Sequence, residues 1–133
     1  LTAKARVVAA LISHPAEPNR FLVQQRLPGS SRALLWEFPG GKVEPGETDE
    51  AALARECHEE LAVTLEVQGR VAAAAHGYED LAIDLVLYRA RITYGTPAAL
   101  GANELRWASV DEMKRLPFCE ADLPLIEALA TVR

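Results

Sequence analysis

The glycine-rich segment Gly40-Gly41-Lys42-Val43-Glu44-Pro45-Gly46-Glu47 runs straight into a stretch with acidic residues at 56, 59 and 60. Thr48 is suited to cap a helix there, with Asp49 and Glu50 in its first turn, where the helix dipole favours anions. On a helix running to about Leu61, positions i, i+3 and i+4 share a face, so Glu56, Glu59 and Glu60 are expected to point into the same few ångströms. Left without a positive partner, that cluster destabilises the helix. A hard divalent cation such as Mg²⁺ or Mn²⁺ takes oxygen ligands, and Mg²⁺ typically sits between carboxylates and substrate phosphates. The segment therefore predicts a metal–phosphate site. Leu53, Cys57 and Leu61 form a core stripe on a different face of the same helix.

The pattern resembles the Nudix box, G-x5-E-x7-R-E-U-x-E-E-x-G-U with U a bulky apolar residue. Gly41, Glu47, Arg55, Glu56, Glu59, Glu60 and Val63 fall on it. Cys57 occupies the first U position as a small hydrophobe, and Ala62 stands where the family has glycine. The resemblance implies an α/β fold, the α/β/α sandwich with a mixed sheet between helices. It further implies Glu56, Glu59, Glu60 and the Gly40 carbonyl as metal ligands, with Glu47 and Arg55 as the pair that fastens loop to helix. A bidentate guanidinium–carboxylate contact suits that role; a surface i, i+4 pair of Arg55 with Glu59 is the plainer alternative.

At 133 residues the chain is expected to form one domain, 1–133, large enough for an independent core. Half of it is hydrophobic and only 6% aromatic, which predicts a core of Ala, Val, Leu and Ile. A net charge of −5 argues against nucleic-acid polymers or anionic membranes as partners. It also leaves an anionic polyphosphate substrate in need of bound cations. Cys57 and Cys119 show no framework spacing and read as reduced, buried thiols of a cytoplasmic protein. No apolar run reaches membrane length and no signal peptide is visible. The chain opens at Leu1 in place of Met, so a few residues are expected to precede it.

Ala5–Ile12 reads as a buried strand and Phe21–Arg26 as a second, separated by the Pro-rich turn His14–Asn19. Leu27–Ala33 is expected to be an exposed, mobile loop. Trp36–Phe38 reads as a short extended stretch, Val63–Val67 and Arg70–His76 as two more, and Leu81–Ile92 as a long strand. On that strand Arg89 and Arg91 share one face, with Tyr88, Ala90 and Ile92 on the other. Leu105–Trp107 is extended, Ser109 caps a short helix Val110–Leu116, and Ala121–Ala130 is a final helix with Pro124 in its first turn. The glycines at 40, 41 and 46 are expected to form turns that let backbone approach a ligand. His14, His58 and His76 lack metal-ligand spacing.

Family members hydrolyse a nucleoside diphosphate linked to another moiety. Leu35–Lys42 resembles the MutT branch, and Ala121–Ile126 the neighbouring CTP pyrophosphohydrolase branch. These likenesses imply Arg26 near the nucleotide, Phe38 against the base and Asp122 where the MutT branch has a base-reading asparagine. An ionised Asp offers only acceptors, whereas a protonated one also donates. Phe38 as a plain core aromatic and Asp122 as a helical residue facing water stand beside those roles. Lys42 either contacts phosphate or is simply solvated.

The expectation is a Mg²⁺-dependent nucleoside triphosphate pyrophosphohydrolase, monomer or homodimer, acting on oxidised or modified nucleotides such as 8-oxo-dGTP, or on CTP and dCTP. The alternatives are an ADP-ribose or nucleoside diphosphate sugar hydrolase and a non-catalytic nucleotide-binding module. Related pyrophosphohydrolases also carry a loop glutamate six residues before the tryptophan matching Trp107. Gly101 stands there, with Glu104 the nearest loop carboxylate.

Overall fold

The near-continuous apolar run at the start of the chain builds the centre of the molecule. In the computed structural model, which describes residues 3–131, it forms strand β1 (Ala3–Ile12). Its alternate side chains feed two separate hydrophobic clusters. Val8, Ala10 and Ile12 pack with Ala52, Leu53, Cys57 and Leu61 of helix α1 (Asp49–Leu61). Ala9 and Leu11 pack with Val110 and Met113 of α2 (Val110–Met113) and with Leu125 and Ile126 of α3 (Leu123–Thr131). A strand buried on both faces has no polar alternation to show, which is why β1 reads as a solid apolar block.

The remaining strands are β2 (Phe21–Gln25), β3 (Trp36–Glu37), β4 (Gly40–Lys42), β5 (Thr64–Gly77), β6 (Leu81–Tyr94) and β7 (Glu104–Ala108). They form a four-stranded sheet in the order β4-β1-β6-β5 and a three-stranded sheet in the order β3-β2-β7. The β1–β6 pair is parallel and the other pairs are antiparallel. With α1 on one side and α2 and α3 on the other, the chain is the expected α/β/α sandwich with a mixed sheet. The strands divide into two sheets instead of one.

Several local expectations change. The two stretches read at 63–67 and 70–76 are one strand, β5, paired with β6 from Thr64 to Gly77. Register shifts on either side of Gly69 absorb the irregularity, as a bulge does. The short helix α2 stops at Met113, and a 3-10 turn (Glu120–Asp122) precedes α3, so the last α-helix begins two residues later than predicted. Most consequential for the site, Gly40 and Gly41 are not turn residues. They pair with Ala9 and Val8 of β1, and of the three glycines in this segment only Gly46 has a positive φ, +85°.

Helix α1 is capped as the sequence predicts, Thr48 accepting from the Ala51 N–H at 3.1 Å. It ends at Ala62, which takes a left-handed conformation (φ 59°, ψ 35°) while its N–H donates to the His58 carbonyl. A glycine adopts that conformation without the Cβ clash that alanine suffers. The family's glycine at this position thus has a steric reason that the present chain overrides.

Candidate functional site

A cavity of about 400 Å³ opens beside the middle of β1, at Val7, Val8 and Ala9. It is bordered by Gly40, Lys42, Glu56 and Glu60 from the glycine-rich segment and α1, and by Arg26, Phe38 and Asp122 from elsewhere. Seven of the residues singled out from the sequence therefore meet around one space. Glu47, Arg55 and Glu59 stand outside its lining.

Arg55 shows why. Its Nε donates to Glu47 Oε2 at 2.7 Å and its Nη2 to Glu47 Oε1 at 2.9 Å, the bidentate contact expected of that pair. Nη2 also reaches the Lys42 carbonyl at 3.1 Å, and Nη1 donates to Glu56 at 2.8 Å. The Glu44 N–H donates to Glu47 at 2.9 Å. Together these bonds fasten the segment from Lys42 to Glu47 onto α1 and draw the Glu56 carboxylate sideways. The Arg55 guanidinium holds the Glu47 carboxyl down at about 2, with the Glu44 N–H assisting.

The three box carboxylates have different surroundings. Among the described residues no group of three or more His, Cys, Asp or Glu is arranged as a ready metal cage. Glu56 is mostly buried against Arg55. Glu59 is 57% exposed and lies 3.6 Å from the same guanidinium. Glu60 borders the cavity, packed so closely against Gly101 that a side chain there would overlap it. Like charges at i+3 and i+4 repel, and Arg55 offsets this by attracting two of the three. Burial, followed by Glu56, Glu37 and Glu59, pushes the Glu60 carboxyl up to about 7.

The glycines serve close packing here. A Cβ on Gly41 would overlap the Glu56 carboxylate, and one on Gly40 would overlap the Val8 carbonyl. Only glycines allow β4 to lie flat between β1 and the acidic helix. Gly101 acts similarly beside Glu60. Glu104, the loop carboxylate nearest in sequence, is exposed, pairs with Arg106 at 3.0 Å and does not border the cavity.

Beyond the acidic helix the cavity changes character. Phe38 is 3% exposed, tilted against Phe118 at 5.8 Å, and is both a core aromatic and a cavity wall. Asp122 does not face water. It is 6% exposed, and its Oδ2 accepts the Phe38 N–H at 2.9 Å. Burial pushes its carboxyl up to about 8 against the opposing effect of that N–H, with Glu37 adding repulsion. Arg26 donates to Glu37 at 3.0 Å and to the Ser31 carbonyl at 2.8 Å. Lys42 is exposed at the border. The loop after Arg26 is exposed as expected over most of its length, but Arg26 and Arg32 tie it into the cavity border.

Glu37 is a cavity residue the sequence did not single out. It bonds Gln24 Nε2 at 2.9 Å as well as Arg26, and it perturbs both Glu60 and Asp122, so it lies between the two ends. The signal was present: in Trp36-Glu37-Phe38 the aromatics fall on one face of an extended segment and the charge on the other. Tyr78, Arg32 and Cys119 also border the cavity, with no local pattern to mark them. Both cysteines are free and buried, and burial pushes each thiol up to about 12, as suits inert core thiols. His58 is exposed. No described helix is long and apolar enough to cross a membrane.

A family model described as a NUDIX domain matches residues 8–128. The chain is 38% identical over 127 residues to the CTP pyrophosphohydrolase of Escherichia coli, covering 96% of this chain and 92% of that one. It is 31% identical over 124 residues to the 8-oxo-dGTP diphosphatase of Haemophilus influenzae, covering 93% and 90%. The solution structure of the E. coli ORF135 protein superposes with a TM-score of 0.83 at 36% identity, covering 99% of this chain and 92% of that one. With the family model spanning both halves of the cavity and these relatives matching nearly end to end, the chain belongs to the Nudix hydrolase family, in its MutT-like branch.

Proposed function

We propose that the protein hydrolyses nucleoside triphosphates, ribo- or deoxyribo-, to the monophosphate and pyrophosphate with Mg²⁺, Mn²⁺ being able to replace it. The observation that carries this is a single cavity joining an acidic helix to a pocket walled by Phe38 and floored by the buried Asp122. Nudix hydrolases generally need a divalent metal, and the donors fit a hard cation: carboxylate oxygens beside backbone carbonyl oxygens of β4. Burial first, and then Glu56, Glu37 and Glu59, raise the Glu60 carboxyl, and a cation at that place would offset those charges. Glu56, Glu59, Glu60 and the Gly40 carbonyl would hold the ion. When bound there, it supplies positive potential for the phosphates and acidifies water.

The chain's own residues do the rest. Glu47 and Arg55 hold loop and helix in register, and Lys42 meets phosphate at the cavity border. Arg26 and Phe38 place the nucleoside, and the protonated Asp122 both donates to and accepts from the base edge. That dual capacity admits more than one base. The names of the relatives, one acting on CTP and another on 8-oxo-dGTP, agree with such breadth. Clearance of oxidised or modified nucleotides in the cytoplasm, by a monomer or homodimer, is the role this chemistry suits.

Ion-exchange analysis of products with Mg²⁺ tests the assignment on 8-oxo-dGTP, dGTP, CTP, dCTP and ADP-ribose. Monophosphate and pyrophosphate from the triphosphates is the expected result. AMP and ribose phosphate from ADP-ribose, with the triphosphates untouched, would move the protein to the sugar-nucleotide hydrolases.

A further inference from the structure

One border of the cavity is held by two side chains to which the reaction above gives no role. Arg32, on the loop between β2 and β3, places its guanidinium carbon 4.1 Å from the centre of the Tyr78 ring. Its Nη1 donates to Asp80 Oδ1 at 3.0 Å and its Nη2 to Oδ2 at 3.5 Å. Although Arg32 lies on a loop, its side chain is only 18% exposed. The backbone there is strained: Arg32 and Leu34 have φ values of 55° and 63°. Residues other than glycine keep such angles only where surrounding contacts over-determine them.

Tyr78 carries the connection inward. Its ring meets His76 edge-on at 4.5 Å, and its hydroxyl oxygen accepts the Ala121 N–H at 2.9 Å. Ala121 precedes Asp122, whose carboxyl accepts the Phe38 N–H. An unbroken set of contacts thus runs from the loop to the residues assigned to the base, and Arg32 and Tyr78 both border the cavity.

We propose that Arg32 and Tyr78 form a clasp that holds the nucleoside end of the cavity at its working width, making both positioning residues for the nucleoside. The inference rests on the cavity taking a nucleotide. Stacking on the ring and a forked contact to Asp80 use the planar guanidinium, which an ammonium cannot reproduce. A tie that merely steadied an exposed loop would affect stability and leave substrate affinity alone.

The test uses full-length Arg32→Ala, Arg32→Lys, Tyr78→Leu and the Arg32→Ala/Tyr78→Leu double variant. Steady-state kinetics on the best triphosphate is paired with amide hydrogen exchange. Loss of Arg32 is expected to raise KM about tenfold, the size of one partly buried stack with its ion pair. The same loss should leave kcat within about twofold, because only binding is affected. Arg32→Lys should remain well above the wild-type KM, and the double variant should be no worse than the more impaired single one, since both remove one contact. Exchange should quicken in residues 27–35 and also in 119–122. An unchanged KM in folded Arg32→Ala, or additive effects in the double variant, would overturn the clasp. If the wild type hydrolyses no triphosphate, the nucleotide reading fails by itself. Exchange at 119–122 in Arg32→Ala then still decides whether the clasp exists.

Discussion

At its acidic end the cavity is bordered by Glu56 and Glu60, one turn apart on α1; at its nucleoside end it is bordered by Phe38, Tyr78 and Asp122, from three distant segments. Both ends hold a carboxyl shifted towards neutrality, for different reasons. Glu60 is half-buried beside Glu56 and Glu59 of its own helix and Glu37 of β3, whereas Asp122 is buried in the core, with Glu37 alone adding repulsion. The first arrangement stores negative charge that a cation can answer. The second raises a carboxyl through burial, which favours its protonated form, able to donate. The metal site and the base contacts proposed above would therefore lie in separable parts of the cavity.

The largest expected effect breaks the acidic end alone. Glu59→Gln keeps size and the helix but removes a charge, and should lower kcat by about a thousandfold with unfolding temperature and base preference nearly unchanged. Near-wild-type turnover in that variant would sink the proposed metal site.

A smaller effect sharpens the contrast through pH. The folded-state pKa of Asp122 is raised from 3.8 to about 8. Between those values the folded protein keeps a proton that the unfolded chain has released. Its contribution to stability is therefore complete below the unfolded value and is lost as pH rises through the folded one. Asn carries no such titration. The Asp122→Asn variant should gain in unfolding temperature relative to wild type between about pH 5 and about pH 8. A gap constant over that window in thermal melts would show that Asp122 is ionised in the folded state.

The smallest effect lies outside both ends. Ala62→Gly relieves a left-handed alanine and should stabilise the protein by about 1 kcal/mol. In a chain of this size that raises the melting temperature by about 4 °C. Calorimetry should show the rise with kcat unaltered; no rise would mean that the αL strain at Ala62 is offset within the helix end.

What could be read in advance follows the same division. Glycines, capping threonine, Arg55 and the glutamates lie within one strand–loop–helix run, where fixed helical geometry turns spacing into position. Even so, the sequence misjudged Gly40 and Gly41, because a demand for close packing and a demand for positive φ leave the same residue behind. Spacing also places the Cβ atoms of the glutamates but does not reveal the bond from Arg55 to the Glu56 carboxylate. Glu37 was legible from alternation and passed over; Arg32 and Tyr78 were not legible, being 46 residues apart.

By itself, then, the sequence determined the class of fold and the capped acidic helix, because local pattern, capping and spacing fix them within short runs of the chain. Only the tertiary structure decided that Asp122 is buried beneath Phe38, that Gly101 leaves its space to Glu60, and that Arg32 lies on Tyr78. Those outcomes depend on packing between segments far apart in the chain, and desolvation, the largest influence on Asp122, is a property of the assembled core.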